Sequence, residues 1–158
     1  MTGSSTSRTR ATTRRSLDPV LPYLAVFAGG LVGTGLRLTA DVALPHADDG
    51  FPWSTLIVNL VGTFALGWLA GGLWTRPSTP TWLKAGVGSG VIGSFTTLSA
   101  VMGAITILGR EGETTLAIAY LGISLGAGLA LAAGGLKVGS SLAHRPMPTE
   151  VTDDGATL

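Results

Sequence analysis

The sequence contains no cysteine, which removes disulfides, thiolate metal sites and cysteine nucleophiles in one step. Charge is scarce as well. Asp, Glu, Lys and Arg together make up 12% of the residues, about half the share usual in soluble domains. The two histidines, His46 and His144, lie far apart in the chain and lack metal-ligand spacing. No serine has a His/Asp frame around it. No Gly-rich stretch carries the Lys-Ser/Thr of a phosphate-binding loop, and no nucleic-acid motif is present. Neither an enzyme nor a nucleic-acid binder is expected. A strict Gly-X-Y period is also missing, so the 24 glycines do not make a collagen.

Uninterrupted apolar length is what the chain does have. Apolar residues reach 46% and the mean hydropathy is +0.47, which excludes a wholly disordered chain. Charge is absent over Pro19–Leu36, Gly50–Thr75, Ala85–Gly109 and Thr114–Leu136, runs of 18, 26, 25 and 23 residues. A helix crosses ~30 Å of hydrocarbon with about 20 apolar residues. The fold class expected is therefore an all-α membrane protein with four transmembrane helices. They are placed at about Pro22–Leu44, Ser54–Trp74, Trp82–Leu108 and Thr114–Leu136. The first helix is expected to be retained, since its apolar run looks too long for a signal peptide and no clear A-x-A cleavage site follows. Residues 1–18 read as a disordered basic tail, 19–137 as the four-helix domain, and 138–158 as a polar carboxyl tail.

Lys and Arg fall unevenly between the two sides. Arg8, Arg10, Arg14, Arg15, Arg76, Lys84, Lys137 and Arg145 share one side, and Arg110 stands on the other, with Arg37 inside the first helix pattern. The positive-inside rule then puts both termini in the cytoplasm of a multi-pass cell-membrane protein. Small-xxx-small pairs at Gly29/Gly33, Gly67/Gly71, Gly86/Gly90 and Gly122/Gly126 suit close helix packing in lipid.

Three features could carry chemistry. The middle of the third helix reads GSGVIGSFTTLSA, Gly88 to Ala100. So dense a Gly/Ser/Thr cluster predicts a helix broken at mid-membrane, where irregular backbone must be buried or line a polar cavity. Carbonyls freed there can coordinate a cation. Asn59 sits mid-way along the second helix, with Thr55 and Thr63 one turn to either side on the same face. Its bland reading is an interhelical hydrogen bond; its functional reading is a row of donors on a pathway. Arg37 has Asp41 at i+4 as a bland partner, and the fourth helix adds Tyr120, Ser124 and Gly128 at i+4 spacing.

Three blocks then bear a resemblance: GGLVGTGLR (Gly29 to Arg37), TLIVNLVGTFALG (Thr55 to Gly67) and GVIGSFTTLS (Gly90 to Ser99). In this order and spacing the chain resembles the Fluc (CrcB) fluoride channel family over most of residues 22–136. The resemblance implies an antiparallel dimer of four-helix subunits with two narrow fluoride pathways, passively exporting fluoride across the membrane. It implies an ion-pathway set of Asn59, Thr55, Arg37, Tyr120, Ser124 and Ser99. It also implies a structural, untransported sodium ion at the dimer centre, held by the backbone carbonyls of Gly93 and Thr96.

The third-helix motif departs from the family. Where the family reads TTFSTF with two pathway phenylalanines, this chain has Thr96, Thr97, Leu98, Ser99, Ala100 and Val101, and a frequent acidic residue is Ala104. Two alternatives follow: a non-conducting or half-conducting partner subunit, and a small proton-coupled exporter. The latter needs a membrane carboxylate, for which only Asp41 is available. The charge bias further predicts a heterodimer with an oppositely oriented related subunit, because one strongly biased chain does not insert in both directions.

Overall fold

The computed structural model describes residues 19–44 and 51–143. The amino tail, the His46 loop, His144, Arg145 and most of the carboxyl tail lie outside the described residues. Four helical spans are long and apolar enough to cross a membrane: Leu21–Ala43, Trp53–Thr75, Thr81–Arg110 and Thr114–Ala143. Helix α1 is Leu21–Ala43, with Pro22 in its first turn, where a missing N–H costs nothing. Helix α2 is Trp53–Gly71, followed by a tight 3-10 turn over Leu73–Thr75.

The third span is composite. Helix α3 (Thr81–Lys84) passes into a wider π-wound stretch over Ala85–Ile92, then into α4 (Gly93–Phe95). Thr96 and Thr97 have extended backbone, with ψ of 154° and 129°, and α5 (Leu98–Arg110) follows. A turn with Gly112 at φ 84° leads to α6, Thr114–Ala143. The left-handed φ at that turn is cheap only for glycine.

Glycines decide which helices meet. A side chain at Gly29 or Gly33 would run into the backbone carbonyls of Gly86 and Val91. A side chain at Gly67 or Gly71 would strike the Ala132 and Leu136 carbonyls, and one at Gly135 or Gly139 the Phe64 and Trp68 carbonyls. Thus α1 pairs with the π-wound stretch and α2 pairs with α6. Contacts advance in the same direction along both partners, so each pair is parallel, and the two pairs run opposite to each other. Such backbone approach is how helices associate without a hydrophobic drive.

One boundary and one packing expectation differ from the sequence reading. Helix α6 does not stop at Leu136 but continues to Ala143, because Gly139 still has the Trp68 carbonyl and the Gly72 backbone to pack on. Gly122 and Gly126 have open space around them within this chain, so their expected packing role finds no intrachain partner. The buried set is small, with Leu56, Val58, Leu69, Ile92, Val101, Leu108, Ala117 and Tyr120 inside. Large apolar side chains face outward, Tyr23, Val42 and Leu129 among them, as hydrocarbon contact requires. At one end lie Arg76, Lys84 and Lys137; at the other lie Arg37 with Asp41, and Arg110 with Glu111 and Glu113.

Candidate functional site

The two tight pairs touch each other lightly, and an opening lies where they meet. A cavity of about 620 Å³ is lined by Asn59 and Thr63 from α2, by Gly93, Thr96, Thr97 and Leu98 around the extended backbone, and by Ser124 from α6. Val101, Met102, Leu121 and Leu125 complete its apolar wall.

Asn59 holds the extended segment in place. Its Nδ2 donates to the Thr97 carbonyl at 3.0 Å, and the Thr97 N–H donates to its Oδ1 at 2.8 Å. In a continuous helix that N–H would bond to the Gly93 carbonyl. The Ala100 N–H, which would bond to the Thr96 carbonyl, is capped instead by Thr97 Oγ1 at 3.4 Å. The carbonyls from Gly93 to Thr96 lose their helical donors at this break, and of these residues Gly93 and Thr96 line the cavity. Gly62 makes the fit possible, since a side chain there would collide with the Thr96 methyl.

The hydroxyls divide into occupied and free. Thr63 Oγ1 donates to the Asn59 carbonyl at 2.6 Å, and Thr96 Oγ1 to the Ile92 carbonyl at 2.9 Å. Both protons are spent on their own helix. Thr97 and Ser99 share a 2.8 Å hydroxyl contact on the exposed side. By contrast, the Tyr120 hydroxyl and Ser124 Oγ are buried and meet no partner beyond each other. Buried polar groups are normally paired more fully, so these two, one turn apart on α6, stand out as spare donor capacity. Asn59 also keeps one amide N–H beyond the bond to Thr97. Tyr120 is 0% exposed, packed with Leu56 and Val101, and Phe51 meets its ring edge-on at 5.3 Å.

Of the candidate polar residues singled out in sequence, the cavity brings together Asn59, Thr63, Ser124, Gly93 and Thr96. Tyr120 lies one turn from Ser124, and Thr55 is half-buried outside the lining. Ser99 is exposed beside Thr97. Arg37 is not in the lining; its Nε lies 3.9 Å from Asp41 Oδ2 on the same helix. Leu98 is 69% exposed at the cavity, whereas Val101 is buried against Tyr120. Thr97 was not singled out from sequence. Its signal was a threonine just before a helical run, the preferred N-cap position. No group of three His, Cys, Asp or Glu gathers among the described residues, so a cation here would have to use backbone or hydroxyl oxygens.

A family model described as CrcB-like protein, Camphor Resistance (CrcB), matches residues 24–136. The chain is 38% identical over 123 residues to the fluoride-specific ion channel FluC of Xanthomonas euvesicatoria pv. vesicatoria, covering 77% of this chain and 92% of that protein. It is 37% identical over 108 residues to the fluoride-specific ion channel FluC 2 of Geobacillus kaustophilus, covering 68% and 84%. It is 36% identical over 108 residues to the fluoride-specific ion channel FluC 1 of Desulfitobacterium hafniense, covering 68% and 94%.

Proposed function

The chain belongs to the CrcB-like protein family, and from that premise we propose that this multi-pass membrane protein is a subunit of a fluoride-specific ion channel, passing fluoride out of the cytoplasm without coupling. The observation that carries the reading is the pair of buried hydroxyls of Tyr120 and Ser124, which meet no partner beyond each other, beside the cavity that Asn59 borders. Fluoride is small and strongly hydrated, so a dry path is costly unless donors replace its water. Amide and hydroxyl donors do so without holding the ion as a fixed cation would. The path runs past Asn59 and the Ser124 and Tyr120 hydroxyls, with Thr55 farther along α2 and Ser99 at the rim. Arg37, paired with Asp41, contributes at the outer end of α1 and not within the cavity.

The extended Thr96–Thr97 segment is placed at mid-membrane, where an antiparallel partner brings a second pair of Gly93 and Thr96 carbonyls to the same axis. Four carbonyls freed of their helical donors fit a monovalent cation such as sodium. Bound there, it would be structural, neutralising the converging carbonyl dipoles. Both termini are assigned to the cytoplasm from the charge bias.

A second reading is a non-conducting or half-conducting partner subunit, and Leu98 favours it, because an aliphatic side chain stands exposed at the cavity and offers fluoride no donor. A proton-coupled exporter is supported less, since Asp41 lies near the end of α1 beside Arg37. Fluoride efflux from liposomes separates the three. A channel gives efflux that does not need a proton gradient, an exporter gives efflux that follows the gradient, and a silent subunit gives none until a partner is added.

A further inference from the structure

A second opening, away from the cavity of Asn59, lies at the end of the molecule that carries Arg76, Lys84 and Lys137. It is a cleft of about 430 Å³ between the end of α2 and the start of the third span. Its polar lining is Lys84, Thr81, Ser89 and Trp74, and its floor is Leu66, Ala85 and Gly88.

Every polar side chain in that lining can donate a hydrogen bond, and no carboxylate is among them. The Lys84 ammonium has three N–H groups. One is used on the Trp74 carbonyl at 2.8 Å, which leaves two. Trp74 Nε1 is buried with no acceptor, although a buried indole N–H usually finds one. The Trp74 ring is seated on Gly88, where an added side chain would approach its Cη2 to 2.5 Å. The chemistry of the cleft is that of an anion site.

Size and position choose among anions. A bare halide would leave most of a cleft this large to water. A phosphodiester with its glycerol fills it better. Trp74 and Trp82 stand at the helix ends, where indoles sit at headgroup level. Leu66, Leu73 and Trp82 are exposed nearby and give an acyl chain a surface to follow.

We propose that this cleft binds the phosphate of an anionic phospholipid. Lys84 is the charge partner, Thr81 and Ser89 donate hydroxyls, and Trp74 lies at the glycerol level. Because Lys84 also holds the end of α2, the lipid joins α2 to the third span at this surface.

The test is native mass spectrometry of the full chain in detergent, titrated separately with phosphatidylglycerol, phosphatidylcholine and inorganic phosphate. Phosphatidylglycerol is expected to bind about tenfold more tightly than phosphatidylcholine, as a near-surface lysine favours anionic headgroups. Lys84→Gln should erase that preference while still donating to the Trp74 carbonyl, and Lys84→Arg should keep it. A Thr81→Ala/Ser89→Ala double variant, which removes only two exposed hydroxyls, should weaken phosphatidylglycerol binding even if Lys84→Gln does not fold. Equal binding of the two lipids, a preference that survives Lys84→Gln, or unchanged phosphatidylglycerol binding by the double variant overturns the site. Displacement of phosphatidylglycerol by millimolar inorganic phosphate overturns the lipid assignment in favour of a free oxyanion.

Discussion

Where α1 meets the third span, Gly29 and Gly33 lie on the Gly86 and Val91 carbonyls and no side chain intervenes. Where α2 faces the same span, Asn59 and the Thr97 backbone exchange two hydrogen bonds at the edge of a 620 Å³ cavity. The first seam is dry backbone on backbone. The second is held by one amide and leaves space. In lipid, dispersion at close approach holds helices together, so the glycine seams carry the fold. The loosely packed seam between the pairs is then free to hold polar groups that a tight seam would exclude.

The largest expected effect comes from filling a dry seam. Gly33→Val would drive a side chain into the Val91 carbonyl, and backbone cannot rotate away as a side chain can. We expect a loss of more than about 4 kcal/mol, read as absent folded protein on size exclusion. Gly126→Val is the contrast, since nothing lies within 4 Å of an added side chain. It should leave the chain's stability within about 0.5 kcal/mol. Equal damage from both would erase the distinction between the seams.

Next comes the amide that holds the open seam. Asn59→Asp places a carboxylate against the Thr97 carbonyl and beside the anion path. Fluoride efflux from liposomes should fall at least about 100-fold, equivalent to roughly 2.7 kcal/mol on the barrier. Asn59→Leu should also stop flux. It leaves the Thr97 N–H unpaired at a cost of about 1–3 kcal/mol, yet the protein should still fold. Undiminished efflux in Asn59→Asp would sink the pathway assignment.

Much of this division was legible in the sequence. The four charge-free runs located the spans, and the Gly/Ser/Thr density of Gly88 to Ala100 marked the irregular segment. The i+4 spacing put Tyr120 beside Ser124. Periodicity gives a helix its face but not its neighbour, so Gly67/Gly71 could not be matched to Gly135/Gly139. The wider winding over Ala85–Ile92 has no residue signature beyond its glycines. Thr97 was passed over because its part is played by backbone atoms. Arg37 came to the pathway set through the family resemblance, and the Asp41 contact that its i+4 spacing also offered is present at 3.9 Å.

Gly93 sharpens the comparison from a third side. An added methyl there would meet only the Gly88 carbonyl, at an ordinary 3.5 Å, so the chain's own packing does not demand glycine. Gly93→Ala should fold. Alanine keeps the carbonyl, but if that carbonyl holds a cation shared with a closely apposed partner, the added methyl crowds the shared axis. The variant should then shift toward monomers on size exclusion, and raising sodium should not restore the dimer to its normal level. A stable, fully conducting Gly93→Ala dimer would remove the case for that site.

A smaller effect separates function from stability at Tyr120. Its buried hydroxyl has no partner beyond Ser124, so Tyr120→Phe removes a poorly met polar group. Thermal stability should hold steady or rise by about 1 kcal/mol. Fluoride efflux should fall about tenfold, near 1.4 kcal/mol. A stability loss with unchanged efflux would mean the hydroxyl is paired for structure and not reserved for an ion.

The last comparison is between the two ends of the molecule. Among the described residues one end has Arg76, Lys84 and Lys137 without a carboxylate, and the other balances Arg37 and Arg110 against Asp41, Glu111 and Glu113. By the sequence reading eight of the ten Lys and Arg residues share the first side, against Arg110 and, within the first helix, Arg37. Such a bias sets orientation, so nearly all copies should insert with both termini in the cytoplasm. An antiparallel dimer of identical chains needs the two orientations in equal number. The expected partner is therefore a related chain of opposite bias, and such a chain could supply the aromatic groups missing at Leu98 and Val101. The check is a carboxyl-terminal tag probed in intact cells expressing this chain alone. The tag should be shielded in all but a few per cent of copies, and the purified chain should conduct fluoride poorly until co-expressed with its partner. About half the tags exposed, with full conduction by the single chain, would establish a homodimer and make the charge count a weak guide here.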